Sequence, residues 1–274
     1  MKNFFTALLS IFFAAMSGQA CAENLLELRG VPEQGGLLYG RVASGSSVKL
    51  DGAAVRVTPS GEFVVGFDRD AKPKAQLLIE KNGQRETRTL TVTQRQYDIQ
   101  RVTGVPQKTV TPPAEELERI AREQKLVEAA RAVDSDNTAF LGPFQWPLLG
   151  PISGVYGSQR FYNGEPRRPH FGVDVAAPVG TPVRAPAIAT VTLAEPDLFF
   201  SGGTLIMDHG YGVSSTFMHL SRVLVKVGDK LQAGQVVGEV GATGRASGPH
   251  LDWRINWFGV RIDPQLVAAP MPPQ

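Results

Sequence analysis

Short segments of alternating apolar and polar residues, separated by turn dipeptides, restrict the amino-terminal part of this chain to antiparallel β-structure. Asp51-Gly52 separates two alternating segments, 48–50 and 53–57, and Asn82-Gly83 stands between two further strand-like segments. These dipeptides favour two-residue hairpin turns because both of their residues tolerate positive φ. Closely spaced strands with such turns are typical of two small packed sheets. We therefore predict an Ig-like β-sandwich over residues 23–103.

The next segment combines a proline-rich stretch with a helical pattern. Three prolines stiffen residues 104–113, which we interpret as a linker. Apolar residues then recur at near-helical spacing from about Pro113 to Val133, with Arg and Glu between them. We predict that residues 104–138 comprise the linker and one amphipathic helix, which packs on a neighbouring domain. A coiled-coil dimer is the alternative, but the run is too short to favour it.

Residues 139–274 return to a composition typical of strands. They are rich in Gly, Pro and β-branched residues and contain no long helical pattern. Strands are predicted at four positions, 182–186, 189–193, 203–207 and 214–218. The predicted fold class is therefore all-β with two domains. A small amino-terminal β-sandwich is joined by one amphipathic helix to a carboxy-terminal antiparallel β domain.

The first 22 residues have the pattern of a secretory signal peptide. Met1-Lys2 precedes a short apolar stretch, and Ala20-Cys21-Ala22 ends the segment like a cleavage site. The apolar stretch is too short for a comfortable membrane span, so we predict no stable span. Cleavage after Ala22 would leave a mature chain without cysteine, and lipoprotein processing at Cys21 is the alternative. The expected location is the periplasm, with secretion to the outside as the other possibility.

The charge balance argues against nucleic acid as a partner. The chain has 28 Lys and Arg residues and 26 Asp and Glu residues, which gives a formal net charge of +2. The basic residues are dispersed along the chain rather than gathered in a stripe. No nucleic-acid footprint is therefore expected.

All four histidines lie in the carboxy-terminal part, and two of them are followed within four residues by an aspartate. His170 and Asp174 are four residues apart on a segment predicted to be extended, so their side chains point the same way. An imidazole and a carboxylate together suit a borderline cation such as Zn²⁺. His250 and Asp252 form a second pair on a predicted strand, and His219 ends an apolar strand. These five residues are the candidates for metal or acid–base chemistry.

Taken together, these residues resemble the lysostaphin/LytM-type zinc metallopeptidases. The resemblance rests on His170-x₃-Asp174, Phe217-Met218-His219-Leu220 and Gly248-Pro249-His250-Leu251-Asp252, and it covers residues 146–264. Members of that family are exported endopeptidases with a compact, largely antiparallel β domain and a metal in a groove. The resemblance implies that His170 and Asp174 are zinc ligands. It also implies that His219 and His250 are catalytic histidines, which orient the attacking water and stabilise the oxyanion.

One position departs from the family pattern. The family's third ligand is usually the second histidine of a His-x-His pair, whereas this chain has Asp252 there. A carboxylate is a legitimate zinc ligand, so we predict His170, Asp174 and Asp252 as the metal ligands. Two carboxylates cancel the formal charge of Zn²⁺, which predicts a weaker enzyme or one that tolerates Mn²⁺. In the alternative arrangement, His250 is the third ligand and Asp252 is a neighbour that supports it.

The resemblance therefore implies an exported zinc-dependent endopeptidase that hydrolyses stem or cross-link peptides of bacterial peptidoglycan during cell-wall remodelling. The second interpretation is a non-catalytic regulator of the same fold, which binds and activates other cell-wall hydrolases in the envelope. Four of the five expected site positions are intact, and the fifth holds a residue that can bind metal. This pattern favours the enzyme.

Overall fold

A computed structural model describes residues 26–102 and 114–272 of the chain. The predicted signal peptide, residues 1–22, lies outside the described residues, as does the proline-rich stretch 104–113 of the predicted linker. Among the helices within the described ranges, none has the length and apolar character needed to cross a membrane.

Residues 26–102 form short strands joined by turns. In chain order these are β1 (Leu26–Arg29), β2 (Leu37–Val42), β3 (Ser47–Leu50), β4 (Ala53–Val55), β5 (Glu62–Gly66), β6 (Lys74–Lys81), β7 (Gln84–Thr91) and β8 (Ile99–Val102). Antiparallel pairing gives two sheets, with the orders β1-β2-β5 and β4-β3-β6-β7. The predicted hairpin turns are confirmed, because Asp51, Gly52, Asn82 and Gly83 all have positive φ, of 47°, 85°, 50° and 79°.

The two amino-terminal sheets enclose one apolar core. On β6, Ala75, Leu77 and Ile79 are buried whereas Gln76, between Ala75 and Leu77, is exposed, because successive side chains of a strand point to opposite faces. Val48 from β3 and Phe63 from β5 belong to the same core. The predicted small β-sandwich is confirmed.

The helix α1 (Leu117–Arg131) follows a 3₁₀ turn at Ala114–Glu116. It confirms the predicted linking helix, whose ends lie a few residues inside the predicted range. Val127 and Ala130 pack against apolar side chains of the carboxy-terminal part, namely Leu193, Leu198 and Ile206. The helix therefore rests on the neighbouring sheet through one side, as its sequence pattern indicates.

The carboxy-terminal strands begin after a 3₁₀ turn at Ala139–Leu141. They are β9 (Ile152–Gly154), β10 (Gln159–Tyr162), β11 (Glu165–Pro166), β12 (Val173–Ala176), β13 (Pro182–Arg184), β14 (Ala189–Leu198), β15 (Gly202–Gly210), β16 (Val213–Leu220), β17 (Arg222–Val223), β18 (Lys230–Leu231), β19 (Val236–Glu239), β20 (His250–Trp257) and β21 (Val260–Ile262), before the short helix α2 (Pro264–Val267). The largest sheet has the order β18-β14-β15-β16-β20-β12-β9, with β21 beside β20, and its pairings are antiparallel. A smaller antiparallel sheet contains β13, β19 and β17. The predicted antiparallel β domain is confirmed.

The two faces of the largest sheet differ in chemistry. On one face, Phe217, Trp253 and Ile255 are fully buried in the main apolar core. Strand alternation directs Asp252 and Arg254 of β20 to the opposite face. Asp174 of β12 lies directly across from Asp252 in the strand register. This second, polar face carries the candidate site.

The amino-terminal and carboxy-terminal parts pack against each other. β8 pairs in parallel with β10, in a small sheet completed by β11. Leu37 and Val64 of the amino-terminal part belong to the apolar cluster that contains Trp253. The limits of the predicted domains, 23–103, 104–138 and 139–274, remain predictions. Strand pairing joins the first of these ranges to the last, because β8 lies in residues 23–103 and β10 lies in residues 139–274.

Candidate metal centre and groove

The three predicted metal ligands converge on the polar face. His170 stands shortly before β12, and its Nε2 lies 3.1 Å from Asp174 Oδ1 and 3.4 Å from Asp252 Oδ2. One ligand atom from each of the three residues lies within 4.8 Å of the other two. The strand register accounts for this convergence, since Asp174 and Asp252 are direct cross-strand neighbours.

The contacts of His170 orient its ring toward the carboxylates. Nδ1 lies 3.2 Å from the carbonyl oxygen of Val155, so that Nδ1–H donates there while Nε2 faces Asp174 and Asp252. Burial lowers the pKa of His170, but hydrogen bonds to Asp174 and Asp252 and the charges of these carboxylates outweigh burial and raise the pKa to about 10. A cation at Nε2, either a proton or a metal ion, therefore satisfies the arrangement.

Asp174 shows that this group of residues suits a metal ion. Its Oδ1 is buried, and the 3.1 Å contact with His170 Nε2 lacks the geometry of a full hydrogen bond, so the described residues compensate the charge of this oxygen only in part. A buried carboxylate oxygen is costly unless a hydrogen-bond donor or a cation compensates it. The carboxylate is packed closely against Gly154, where a Cβ atom would collide with it. One imidazole and two carboxylates form a donor set that fits a divalent cation such as Zn²⁺.

Arg254 is a component of the site that the sequence analysis missed. Its Nε donates to Asp252 Oδ1 at 2.9 Å, and its Nη2 donates to Asp252 Oδ2 at 2.6 Å. Burial by itself raises the pKa of Asp252, but the charge of Arg254 and the hydrogen bonds from His170 and Arg254 outweigh burial, so the pKa lies well below its usual value. Strand alternation could have indicated this pair, because residues 252 and 254 share a face of β20.

The two predicted catalytic histidines lie side by side at the edge of the donor set. The ring centroids of His219 and His250 are 4.8 Å apart. Each ring uses Nδ1 to contact a carbonyl oxygen at 2.8 Å, that of Thr243 for His219 and that of Gly248 for His250. Nε2 of His250 is 3.9 Å from Asp174 Oδ1. Both rings therefore keep Nε2 available for proton transfer beside the metal donors.

His219 has two further features that bear on acid–base chemistry. Its φ is +64°, a left-handed backbone conformation that is uncommon outside glycine. Its backbone N–H donates a hydrogen bond to the carbonyl oxygen of Ser201 at 2.8 Å. Burial lowers the pKa of His219, and the nearby His250 lowers it further, against the opposing effects of Thr243 and Asp252. His219 is therefore biased toward the neutral form, which can accept a proton.

A groove runs past these side chains. Its lining includes Asp98 and Gln100, which lie next to or on β8, together with Arg160 of β10, and also Phe200, Arg245 and Ser247 from two loops. Arg160 Nε donates to Gln100 Oε1, and the backbone N–H of Arg245 donates to the carbonyl oxygen of Phe200, so each group forms a continuous part of the wall. The same groove is lined by the predicted ligands His170, Asp174 and Asp252 and by the predicted catalytic residues His219 and His250. The arrangement can accommodate an extended chain beside the donor set.

Comparisons with known proteins point to a single family. Residues 168–264 match the model of peptidase family M23. A crystal structure from Pseudomonas aeruginosa that is assigned to peptidase M23 has 31% sequence identity and a TM-score of 0.68. The similarity covers 86% of this chain and 94% of that structure.

Two curated relatives match over the carboxy-terminal part. The DD-carboxypeptidase/endopeptidase Mpg of Neisseria meningitidis is 39% identical over 105 residues, which is 38% of this chain and 24% of the relative. The peptidoglycan DD-endopeptidase ShyA of Vibrio cholerae is 34% identical over 120 residues, covering 40% of this chain and 27% of the relative. The chain thus spans about a quarter of the length of these curated relatives.

Proposed function

Because the chain belongs to peptidase family M23, we propose that it is an exported zinc-dependent endopeptidase that hydrolyses peptide bonds in bacterial peptidoglycan. The names of the Neisseria and Vibrio relatives support this substrate class. The signal-like segment at residues 1–22 supports export, with the periplasm as the site of action.

The convergence of three metal-binding side chains beside a pair of imidazoles is the observation that carries the proposal. His170, Asp174 and Asp252 would hold the zinc ion. When bound, the ion would polarise the scissile carbonyl group and activate a water molecule. The groove would place a stem or cross-link peptide across this position.

His219 and His250 would serve the proton transfers of hydrolysis. Their Nδ1 atoms contact carbonyl oxygens, so each ring presents Nε2 to a substrate in the groove. The neutral His219 would accept a proton during attack on the carbonyl group, and His250 would donate a hydrogen bond to the developing oxyanion. The separation of 4.8 Å between the rings would allow both of them to act on one carbonyl group.

Asp252 is the better candidate for the third ligand than His250. Asp252 Oδ2 is 3.4 Å from His170 Nε2 and belongs to the compact group of donor atoms. His250 lies farther out, with its Nε2 at 3.9 Å from Asp174 Oδ1. The intact donor set also favours the enzyme over the non-catalytic regulator that the sequence left as the second interpretation.

Purified protein without residues 1–22 provides the test. We expect stoichiometric zinc by metal analysis after dialysis, and mass spectrometry should show cross-linked muropeptides of purified sacculi converted to uncrosslinked products. A chelator should stop the reaction and added Zn²⁺ should restore it, whereas a His170→Ala variant should neither hold zinc nor release products. Protein that holds no metal and leaves sacculi unchanged would instead support the regulator.

A further inference from the structure

Arg254 forms a two-point ion pair with Asp252 on the metal-site face of β20. Both carboxylate oxygens of Asp252 accept hydrogen bonds from the guanidinium, at 2.9 and 2.6 Å. The Asp252 side chain is 4% exposed and the Arg254 side chain is 20% exposed, so the pair is held largely away from water. Such a bidentate contact fixes the orientation of a carboxylate as well as its charge.

We propose that Arg254 is the positioning residue that allows an aspartate to act as the third metal ligand at position 252. This inference rests on the proposed zinc site and concerns how the chain builds that site. The guanidinium holds the carboxylate in place from one side and leaves Oδ2 facing His170 and Asp174. A carboxylate oxygen has two lone pairs, so Oδ2 can accept from Arg254 and still bind a cation.

The charge of Arg254 also changes the electrostatic expectation drawn from the sequence. Two carboxylates alone would cancel the charge of Zn²⁺. With the positive charge of Arg254 included, the group presents one net negative charge to the ion, as two imidazoles and one carboxylate would. The predicted weakening of the enzyme by Asp252 is therefore offset by Arg254.

Gly172 provides the space for this pair. A Cβ atom at position 172 would lie 2.6 Å from Arg254 Cγ and 2.6 Å from Asp252 Oδ1. Any larger residue at position 172 would push the pair out of place. The first ligand segment and the Asp252–Arg254 pair are therefore fitted to each other.

The surroundings of Arg254 make it dependent on a carboxylate at position 252. Arg168 and Arg261 lie near enough to Arg254 for electrostatic repulsion between their positive charges. Asp252 supplies the nearest negative charge, with Asp174 contributing at longer range. A neutral ligand at position 252 would leave a buried guanidinium unpaired among other cations, which is strongly unfavourable.

Exchange of one zinc ligand for another that the family uses would ordinarily preserve zinc affinity, and at position 252 we expect the opposite. Asp252→His introduces the imidazole that the family usually has, yet we expect it to weaken zinc affinity at least about tenfold because Arg254 loses its partner. The double variant Asp252→His with Arg254→Met should recover affinity to within about threefold of the wild-type value. Affinity is measured on the full chain by competition with a chelator, and the visible spectrum of Co²⁺-loaded protein reports the ligand set.

Arg245 supplies the matched control, because it lines the same groove without pairing to Asp252. Arg245→Met combined with Asp252→His should not recover affinity. Tight zinc binding by Asp252→His alone, or equal recovery through Arg245→Met, would overturn the role of Arg254. The role of Arg254 would also be overturned if Asp252→His changed the unfolding temperature of the metal-free protein but left its zinc affinity unchanged. A wild-type chain without stoichiometric metal would overturn the proposed function itself and this inference with it.

Discussion

At the scale of single residues, substitution of His219 or His250 should have a different effect from substitution of a proposed ligand. Both lie beside the donor set, and their Nδ1 atoms already contact backbone carbonyl oxygens. We expect His219→Ala and His250→Ala to reduce kcat by about 10²- to 10⁴-fold, as is usual for a lost acid–base group. Turnover of cross-linked muropeptides, measured with zinc content on the same samples, checks this.

The zinc content of His250→Ala separates the two arrangements considered from the sequence. Retention of zinc with loss of turnover agrees with Asp252 as the third ligand. Loss of zinc from His250→Ala, with zinc retained by His219→Ala, would identify His250 as a ligand and contradict the proposed set.

The buried imidazole of His209 should make the folded protein less stable in mild acid. It is fully buried, its Nδ1 lies 2.8 Å from the carbonyl oxygen of Ile188, and its Nε2 lies 2.8 Å from Ser215 Oγ. Burial lowers the pKa of His209 from 6.5 to about 4, against the opposing hydrogen bond to Ile188. The unfolded chain therefore binds this proton more readily than the folded chain, so stability is complete above pH 6.5 and falls as the pH drops toward 4.

We expect the wild-type free energy of unfolding to fall by about 2 kcal/mol more between pH 7 and pH 5 than that of His209→Gln. Urea unfolding at the two pH values measures this difference. The variant is less stable at pH 7 because it loses packing, so the comparison uses the pH dependence of each protein rather than its absolute stability. Equal pH dependence in the two proteins would contradict the argument.

The residues of the site differ in how far a sequence can predict them. The pairing of His170 with Asp174 is predicted from spacing on an extended segment, which is local geometry, whereas Asp252 is predicted as the third ligand from the family resemblance. Alternation also puts Arg254 on the same face as Asp252. The sequence alone does not predict that they pair, because an arginine side chain on a strand more often points into solvent than toward a carboxylate. The role of Arg254 depends on the burial of Asp252, which is 3% exposed only because other strands cover it. The burial of Asp252 depends on the tertiary structure and therefore could not be predicted from the local sequence.

At the scale of elements, α1 anchors one wall of the groove. Glu123 Oε2 accepts a hydrogen bond of 2.7 Å from the N–H of Phe199, and Arg119 Nη2 donates to the carbonyl oxygen of Asp197 at 2.8 Å. Phe200, the next residue along the chain, lines the groove. The helix therefore has a structural connection to the site although it contributes no site residue.

Glu123→Ala should lower the free energy of unfolding by about 1–2 kcal/mol, because the Phe199 N–H loses a charged acceptor. It should also raise KM more than it lowers kcat, since Phe200 would contact a substrate in the groove rather than the proposed metal ion. Glu128, whose side chain accepts a hydrogen bond from Gln124 on the exposed surface, is the matched control, and Glu128→Ala should change stability by less than about 0.5 kcal/mol. Equal effects of both substitutions in urea unfolding would count against the anchoring role.

The strands of the fold were predictable to the extent that turn chemistry marks them. Asp51-Gly52 and Asn82-Gly83 require positive φ at both residues, and hairpins are found at both places. The parallel pairing of β8 with β10 was not predictable, because it joins Ile99 to Gln159 across sixty positions with no local signal. Long-range pairing of this kind depends on how the whole chain packs.

At the scale of the whole molecule, the amino-terminal and carboxy-terminal parts share buried contacts. Arg95 Nη1 donates to Asp263 Oδ2 at 2.9 Å, and the Asp263 side chain is only 1% exposed. The same nitrogen donates to the carbonyl oxygen of Gln34 at 3.1 Å. Arg95 therefore compensates a buried charge of the carboxy-terminal part from a position in the amino-terminal part, so unfolding of one part should destabilise the other.

Arg95→Met should lower the free energy of unfolding by about 3 kcal/mol, because Asp263 is left as a buried charge without its partner. All three tryptophans, Trp146, Trp253 and Trp257, lie in the carboxy-terminal part, but Trp257 also packs against the amino-terminal core. Tryptophan fluorescence is therefore measured in a Trp257→Phe background, where Trp146 and Trp253 report the unfolding of the carboxy-terminal part. The midpoint of urea unfolding should therefore shift in fluorescence as well as in circular dichroism. Arg88, paired with Glu86 at the surface, is the control, and Arg88→Met should cost less than about 1 kcal/mol. A shift seen by circular dichroism but absent from fluorescence would mean that the two parts unfold independently and that the amino-terminal part does not support the site.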